Sequence, residues 1–337
     1  MERNSRLDTL IIGAGPVGLA CGIAAQRSGL SAVIVEKGAV VDALYRFPKH
    51  MRFFSTPELL EIGGVPFIVS GDKPTRAEAL NYYRRVAQHY QLNLKLYEEV
   101  LRVTRARDSF EIEGSAGTYR AACVIIATGF YDHPNALNIP GEDLPNVSHY
   151  YTEPFPFFQR KVAIIGGKNS AVEAALDLYR HGAEVTLIHR GAEIRQSVKY
   201  WILPDILNRI QEGSIKALLN TRVTRIAADA LTVQNDKGET STVKTDFVFA
   251  LTGYHPDYDF LQACGVDIGG DELIPRHDPE TFETNVPGLY VAGVVAAGKN
   301  ANKIFIENGR EHAKVIIRDI VRRLKPAPEA QPETFWV

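Results

Sequence analysis

The chain repeats itself. Residues 8–36, DTLIIGAGPVGLACGIAAQRSGLSAVIVE, and residues 161–189, KVAIIGGKNSAVEAALDLYRHGAEVTLIH, align without a gap at a constant shift of 153 residues. The shift takes Gly13 onto Gly166, Arg27 onto Arg180, Gly29 onto Gly182 and Glu36 onto His189. A period this long means two domains rather than a solenoid. Each copy reads as an apolar strand, a glycine turn, a helix of small residues and a second β-branched strand, which is a βαβ unit with a dinucleotide fingerprint. The glycines allow a tight turn and a close approach of backbone to a pyrophosphate. The helix that follows turns its free N–H groups and positive dipole end to the phosphates. The fold class expected is α/β, with two Rossmann-like dinucleotide-binding domains arranged as in thioredoxin reductase.

The ends of the second strands separate the two ligands. Glu36 can accept both hydroxyls of an adenosine ribose and would repel a 2′-phosphate, as FAD binding requires. In the second copy His189 and Arg190 hold that place, with Arg195 following, a basic group suited to the 2′-phosphate of NADPH. The second copy also departs from the fingerprint, with Lys168 where the middle glycine is expected in GGKNSA. A side chain there prevents the same backbone approach and can instead set an ammonium against the pyrophosphate or the flavin.

Later segments complete the plan. Val124–Gly129, VIIATG, follows a β-rich stretch at 100–121, and Asp246–Pro256, DFVFALTGYHP, is its equivalent in the second domain. Leu289–Gly298, LYVAGVVAAG, leads to a helix expected to open near Asn302–Ile304, its N-terminus at the flavin edge where charge develops on reduction. An Asp usually follows the Ala-Gly turn in flavoproteins of this plan, and here Val294 stands there. The residues expected around FAD are Gly13, Gly15, Pro16, Val17, Gly18, Glu36, Lys37, Val100, Thr128, Gly129, Gly293, Val294, Lys303 and Ile304. Those expected around NADPH are Gly166, Gly167, Lys168, Asn169, Ser170, His189, Arg190, Arg195 and Gly253. Residues 1–155 with 257–337 form a discontinuous FAD domain and 156–256 an inserted NADPH domain, with crossings near Tyr151–Arg160 and Gly253–Tyr258. Pro326–Val337, rich in Pro, Ala and Glu, reads as a mobile tail.

At 337 residues the chain suits two domains. Its net charge of -2 gives no electrostatic reason to expect nucleic acid or an anionic membrane. No apolar run reaches the roughly 18 residues that span a bilayer. The polar start, Met1 to Asp8, lacks the apolar core of a signal peptide, so a cytoplasmic protein is expected. Three cysteines, Cys21, Cys123 and Cys264, are far apart and odd in number, which argues against a disulfide framework and a zinc site. The nine histidines lack ligand-like spacing, and no metal is expected. His312 reads as a helix-surface or interface residue. The cofactors carry the chemistry here, and no Ser-His-Asp constellation is needed.

IIGGKNSA at 164–171, RFFS at 52–55, VPFIV at 65–69, KYWILPD at 199–205, LTGYHPDYDFL at 251–261, AGVVAAG at 292–298 and IFIENGREH at 304–312 together resemble the bacillithiol disulfide reductase family. The resemblance runs over residues 8–322, and Lys168 and Val294 match its pattern. It implies a thioredoxin-reductase-like homodimer with FAD and NADPH that reduces the disulfide of a low-molecular-weight thiol, bacillithiol. Many members carry a Cys after the Gly-Pro of the first turn, proposed as a redox thiol. Here that residue is Val17, so the resemblance carries no thiol to this position, and the catalytic residues stay unassigned. No Cys-x-x-Cys pair is present, and each of the three cysteines reads as an inert thiol.

Three other activities share the architecture. A ferredoxin- or flavodoxin-NADP reductase also lacks Cys-x-x-Cys, often carries a C-terminal aromatic over the flavin, and would take a small electron-carrier protein as partner. Phe335–Trp336 is a candidate for such a lid. A flavin monooxygenase is suggested by two nucleotide motifs joined through Val147–His149, but its Phe-x-Gly-x-x-x-His pattern is not met. A flavin redox sensor without turnover is disfavoured by the intact NADPH motif.

Overall fold

The computed structural model describes residues 6–194, 198–301 and 303–325. Arg195, Asn302 and the Phe335–Trp336 tail therefore lie outside the described residues. The first repeat folds as β1 (Leu7–Ile12), α1 (Pro16–Arg27) and β2 (Ala32–Glu36), with β1 and β2 parallel and Ile12 opposite Val35. Leu10 and Ile11 point to opposite faces and both are fully buried. A strand covered on both faces needs a continuous apolar run rather than an alternating one, which is how TLII reads. After helix α2 (Arg76–His89) come β3 (Leu94–Leu96), β4 (Val100–Arg105), β5 (Phe110–Gly114) and β6 (Thr118–Ile126). The sheet runs β3-β2-β1-β6-β5-β4. The β4-β5-β6 part is antiparallel, and the long β6 also pairs in parallel with β1.

The chain then passes to the second unit. A short strand β7 (His133–Pro134) precedes β8 (Val147–Ser148), and β8 is hydrogen-bonded to the second sheet. Leu137, Ile139 and Leu144 already pack into that unit's core. The chain thus joins the second unit before the Tyr151–Arg160 segment where the sequence placed the crossing. The second repeat gives β9 (Lys161–Ile165), α3 (Asn169–Arg180) and β10 (Glu184–Ile188). With β11 (Lys216–Leu218) and β15 (Phe247–Ala250) they make a parallel sheet ordered β11-β10-β9-β15-β8. Between them β12 (Thr221–Ile226), β13 (Ala230–Asn235) and β14 (Thr240–Lys244) form an antiparallel sheet, the counterpart of β4-β5-β6. The return passes through β16 (Tyr254–His255), which pairs antiparallel with β7, so both passages of the chain between units run side by side.

The final segment closes the first unit. β17 (Leu289–Val291) adds in parallel to β6, with Val291 opposite Ile126. Helix α4 (Ile306–Leu324) packs with α1 around one core containing Leu19, Ile23, Ile316 and Ile320. This helix opens at Ile306, later than the Asn302–Ile304 start expected from sequence. The Asn308 side chain takes the Phe305 N–H at 2.7 Å and donates to the Lys303 carbonyl at 2.8 Å. That exchange holds 303–305 outside the helix, with Phe305 extended as its N-cap.

Candidate functional site

The carboxyl ends of β1, β2, β6 and β17 converge on a cavity of about 600 Å³. Each fingerprint glycine has a separate job there. Gly13, at φ +105, brings the end of β1 against β6: a Cβ on it would sit 2.6 Å from the Ala127 carbonyl oxygen. Gly18 docks the helix, since its Cβ would lie 1.9 Å from the Gly13 oxygen. A Cβ on Gly15 would meet nothing within 4 Å, and Gly15 lines the cavity. Gly15 is also the N-cap of α1 and provides no side-chain cap, so the first-turn N–H groups are free to receive an anion.

Glu36 ends β2 with its side chain turned back on this turn. Its carboxylate accepts the Ala14 N–H at 2.8 Å and the Gly38 N–H at 2.9 Å. Burial pushes its pKa above the ordinary carboxylate value, and the two N–H donors restrain the shift. Each oxygen keeps lone-pair capacity for an incoming hydroxyl. Beside it Asp132 is held between Lys37, at 2.8 Å, and Arg46. Burial alone would raise the Asp132 pKa, but these two cations outweigh it and lower it. Across the cavity, Val17 packs on Gly293: a Cβ there would lie 3.1 Å from the valine Cγ2. The Gly293 N–H donates to His312 Nδ1 at 3.2 Å, and the imidazole stacks on Phe282 with centroids 3.9 Å apart. His312, read from sequence as a helix-surface or interface residue, is buried beneath the cavity wall, against Gly293 and Phe282. Burial lowers its pKa to about 4, so at neutral pH the ring is uncharged and its Nδ1 can accept.

The second turn repeats the first with different chemistry. A Cβ on Gly166 would lie 2.5 Å from the Leu251 oxygen, the same strand-end approach that Gly13 makes to Ala127. The His189 ring lies between two glycines: a Cβ on Gly167 would come within 2.4 Å of Nδ1, and one on Gly191 within 2.6 Å of Nε2. His189 therefore reaches back to the turn as Glu36 does to Ala14, and Gly167 provides the room. Arg190 beside it is exposed and has no ion pair among the described residues. Lys168 is the exposed N-cap of α3, and Ser170 is exposed in its first turn. The Asn169 side chain accepts the Lys199 N–H at 2.8 Å. Gly253, at φ +95, stands at the return passage, where its carbonyl accepts the Asn135 N–H at 2.9 Å.

The family profile for pyridine nucleotide-disulphide oxidoreductases matches residues 10–293. A bacilliredoxin reductase Bdr from Bacillus subtilis (strain 168) is 46% identical over 315 residues, covering 93% of this chain and 97% of that protein. The bacillithiol disulfide reductase Bdr from Bacillus cereus superposes with a TM-score of 0.92 at 44% identity, covering 95% of this chain and all of that one. This chain belongs to the bacillithiol disulfide reductase family of pyridine nucleotide-disulphide oxidoreductases. The reductase is a flavin-dependent oxidoreductase using FAD and NAD(P)H. At fold level it also superposes on T. acidophilum thioredoxin reductase, with a TM-score of 0.75 at 23% identity over 96% of this chain and 99% of that one. The thioredoxin-reductase-like α/β fold read from the repeat is the fold observed.

The residues of this reductase fit a flavin dinucleotide: an unfilled glycine position, an uncapped helix start and a strand-end carboxylate face one cavity. Gly13, Gly15, Pro16, Val17, Glu36, Lys37, Val100, Thr128, Gly129, Gly293, Val294 and Ile304 all line it. Gly18 and Lys303 do not: Gly18 is packed behind the turn, and Lys303 is exposed in the segment before α4. The sequence reading missed Arg46, Asp132 and Lys199, which also line the cavity. They lie on loops outside both repeats, where no spacing rule marks them.

Proposed function

We propose that this chain is an NADPH-dependent reductase of a low-molecular-weight thiol disulfide, bacillithiol disulfide. The observation that carries the cofactor assignment is the exchange at the two strand ends. The turn facing the cavity has the carboxylate Glu36, and the second turn has His189 and Arg190, which has no ion pair among the described residues, at the same place. The first unit with β17 and α4 is assigned to FAD, and the unit of β9, α3 and β10 to NADPH. The relatives named for bacillithiol disulfide and bacilliredoxin support the choice of acceptor.

The reaction is NADPH + H⁺ + RSSR giving NADP⁺ and two RSH. Bound FAD supplies the two-electron carrier between nicotinamide and disulfide. The protein's own part is to bind and orient: Gly15 and the α1 N-terminus for the pyrophosphate, Glu36 for the ribose, and Arg190 with His189 for the 2′-phosphate. No cysteine takes part. Cys21, Cys123 and Cys264 are all buried, and burial raises their pKa values to about 12, 11 and 12. A relay thiol needs the opposite, partial exposure and a lowered pKa. The site also works in a cytoplasmic homodimer, and no described helix is long and apolar enough to cross a membrane.

The test is NADPH oxidation by FAD-loaded enzyme with bacillithiol disulfide, and in parallel with ferredoxin and flavodoxin. Two thiols released per NADPH consumed is the expected result. Fast reduction of ferredoxin or flavodoxin with no thiol release would replace this reading with the NADP reductase one.

A further inference from the structure

The two ends of the flavin cavity differ in charge. Glu36, Glu98 and Glu99 line the end at β2 and β4, where Lys37 and Arg46 are neutralised by Asp132, whereas Arg52 and Lys199 line the end formed by the loop 51–55. Lys199 is nearly buried, is paired with Glu173, and donates to the Arg52 carbonyl at 2.7 Å. Its charge is therefore largely spent within the protein. Arg52 is different. It is an exposed residue that lines the cavity, and its guanidinium, on the side of Gly71, has neither an ion pair nor a side-chain hydrogen bond among the described residues. Glu307 stands near this loop, but its carboxylate is taken by the Ser55 hydroxyl at 2.5 Å.

Two exposed aromatic residues line the same cavity. Phe54 is 56% exposed and Phe305 54% exposed, both on the cavity. Phe54 stacks on Trp201 of the second unit, with centroids 5.7 Å apart and planes 23° apart. Lys73 lies 5.7 Å over the Phe54 ring and 5.9 Å over Trp201, with its Nζ donating to the Phe54 carbonyl at 2.6 Å. Arg52, Phe54 and Phe305 thus line one cavity, two of them exposed rings and one a cation without an ion pair among the described residues. A guanidinium is suited to a carboxylate, which it can bind through two parallel hydrogen bonds.

We propose that the disulfide acceptor enters at this mouth as a carboxylate-bearing anion, with Arg52 holding a carboxylate and Phe54 with Trp201 flanking its body. This rests on the disulfide-reductase reading and names the subsite that reading needs. Arg52 acts as a specificity-determining residue. Lys73 adds positive potential, and Lys199 fixes the loop that carries Arg52.

Trp201 provides a direct probe. The sequence has two tryptophans, Trp201 and Trp336, so a Trp336→Phe background leaves Trp201 alone. Oxidised, FAD-loaded enzyme in that background is titrated with bacillithiol disulfide and with the same disulfide methyl-esterified at its carboxylates. Turnover with NADPH is measured beside it. Saturable quenching by the disulfide is expected, weakened roughly tenfold to a hundredfold in Arg52→Ala and for the ester, the loss of a charge-assisted contact. Arg52→Lys should recover part of it. The disulfide KM should rise in step, while the NADPH KM and the rate of flavin bleaching by NADPH, which also report folding, stay unchanged. Turnover with a disulfide KM indifferent to Arg52 overturns this site and leaves the disulfide reading standing. Arg52-dependent binding without turnover supports the site and removes the disulfide reading. An Arg52 effect confined to the NADPH KM, or no binding and no turnover, overturns the proposal.

Discussion

Gly15 and Gly18 belong to one sequence fingerprint, yet the structure assigns them opposite duties, and alanine separates them. At Gly15 the backbone lies at φ −67 and ψ 173, which alanine adopts freely, and the new methyl meets nothing within 4 Å. Folding stability of the cofactor-free Gly15→Ala protein should therefore stay within about 0.5 kcal/mol of the parent. The methyl instead projects into the cavity and holds a phosphate off the α1 N-terminus. Losing one charge-assisted hydrogen bond costs about 1.5–3 kcal/mol, or roughly tenfold to a hundredfold in FAD affinity. At Gly18 the new methyl would lie 1.9 Å from the Gly13 oxygen, so α1 must move away from the turn. Overpacking of this kind costs about 1–3 kcal/mol, a fall of roughly 2–4 °C in Tm for each kcal/mol in a domain of this size. The assays are thermal melts of both variants stripped of FAD, because bound FAD would itself raise Tm, and FAD titration followed by flavin fluorescence. A Gly15→Ala protein that binds FAD as the parent does, or that melts as early as Gly18→Ala, refutes this division of labour.

Three other outcomes follow from the site. Arg190→Ala should raise the NADPH KM roughly tenfold to a hundredfold and leave NADH nearly unchanged; equal effects in steady-state kinetics with both cofactors would remove the 2′-phosphate assignment. His312, buried and neutral, has its pKa lowered from 6.5 to about 4, so its contribution to stability is complete above pH 6.5 and is lost as the pH falls from there through 4. The span is on the order of 3 kcal/mol, with the nearby His277 opposing protonation further. His312→Phe removes the acceptor of the Gly293 N–H and should cost about 1–3 kcal/mol at pH 7, but denaturation curves should show that deficit shrinking towards pH 4; a deficit independent of pH counts against the assignment.

The repeat made the fold legible because its information is local. Strand, glycine turn, helix and strand follow one another within 29 residues, counted from 8 to 36, and the second copy removes coincidence. Burial on both faces then follows from apolar runs such as VAII and VTLI. The cavity was only half legible. Gly13, Gly15 and Glu36 announce themselves by spacing, but Asp132 reaches Lys37 and Arg46 from loops far along the chain. Nor does any spacing mark Phe54 as a cavity residue, since it stacks on Trp201 only because the two units pack together. The start of α4 was misplaced because the Asn308 exchange with Phe305 and Lys303 overrides a sequence that otherwise permits helix. His312 was misjudged for a related reason: its partners, Gly293 and Phe282, belong to a different segment.

The central claim is that electrons reach a small disulfide without passing through a protein thiol. Stopped-flow reoxidation of NADPH-reduced enzyme by bacillithiol disulfide tests it, comparing the parent with a variant in which Cys21, Cys123 and Cys264 are all changed to Ser. The same reoxidation rate is expected in both, within a few-fold, with no thiolate–flavin charge-transfer band in the reduced parent. A variant still bleached by NADPH but no longer reoxidised by the disulfide would contradict it and restore a cysteine relay.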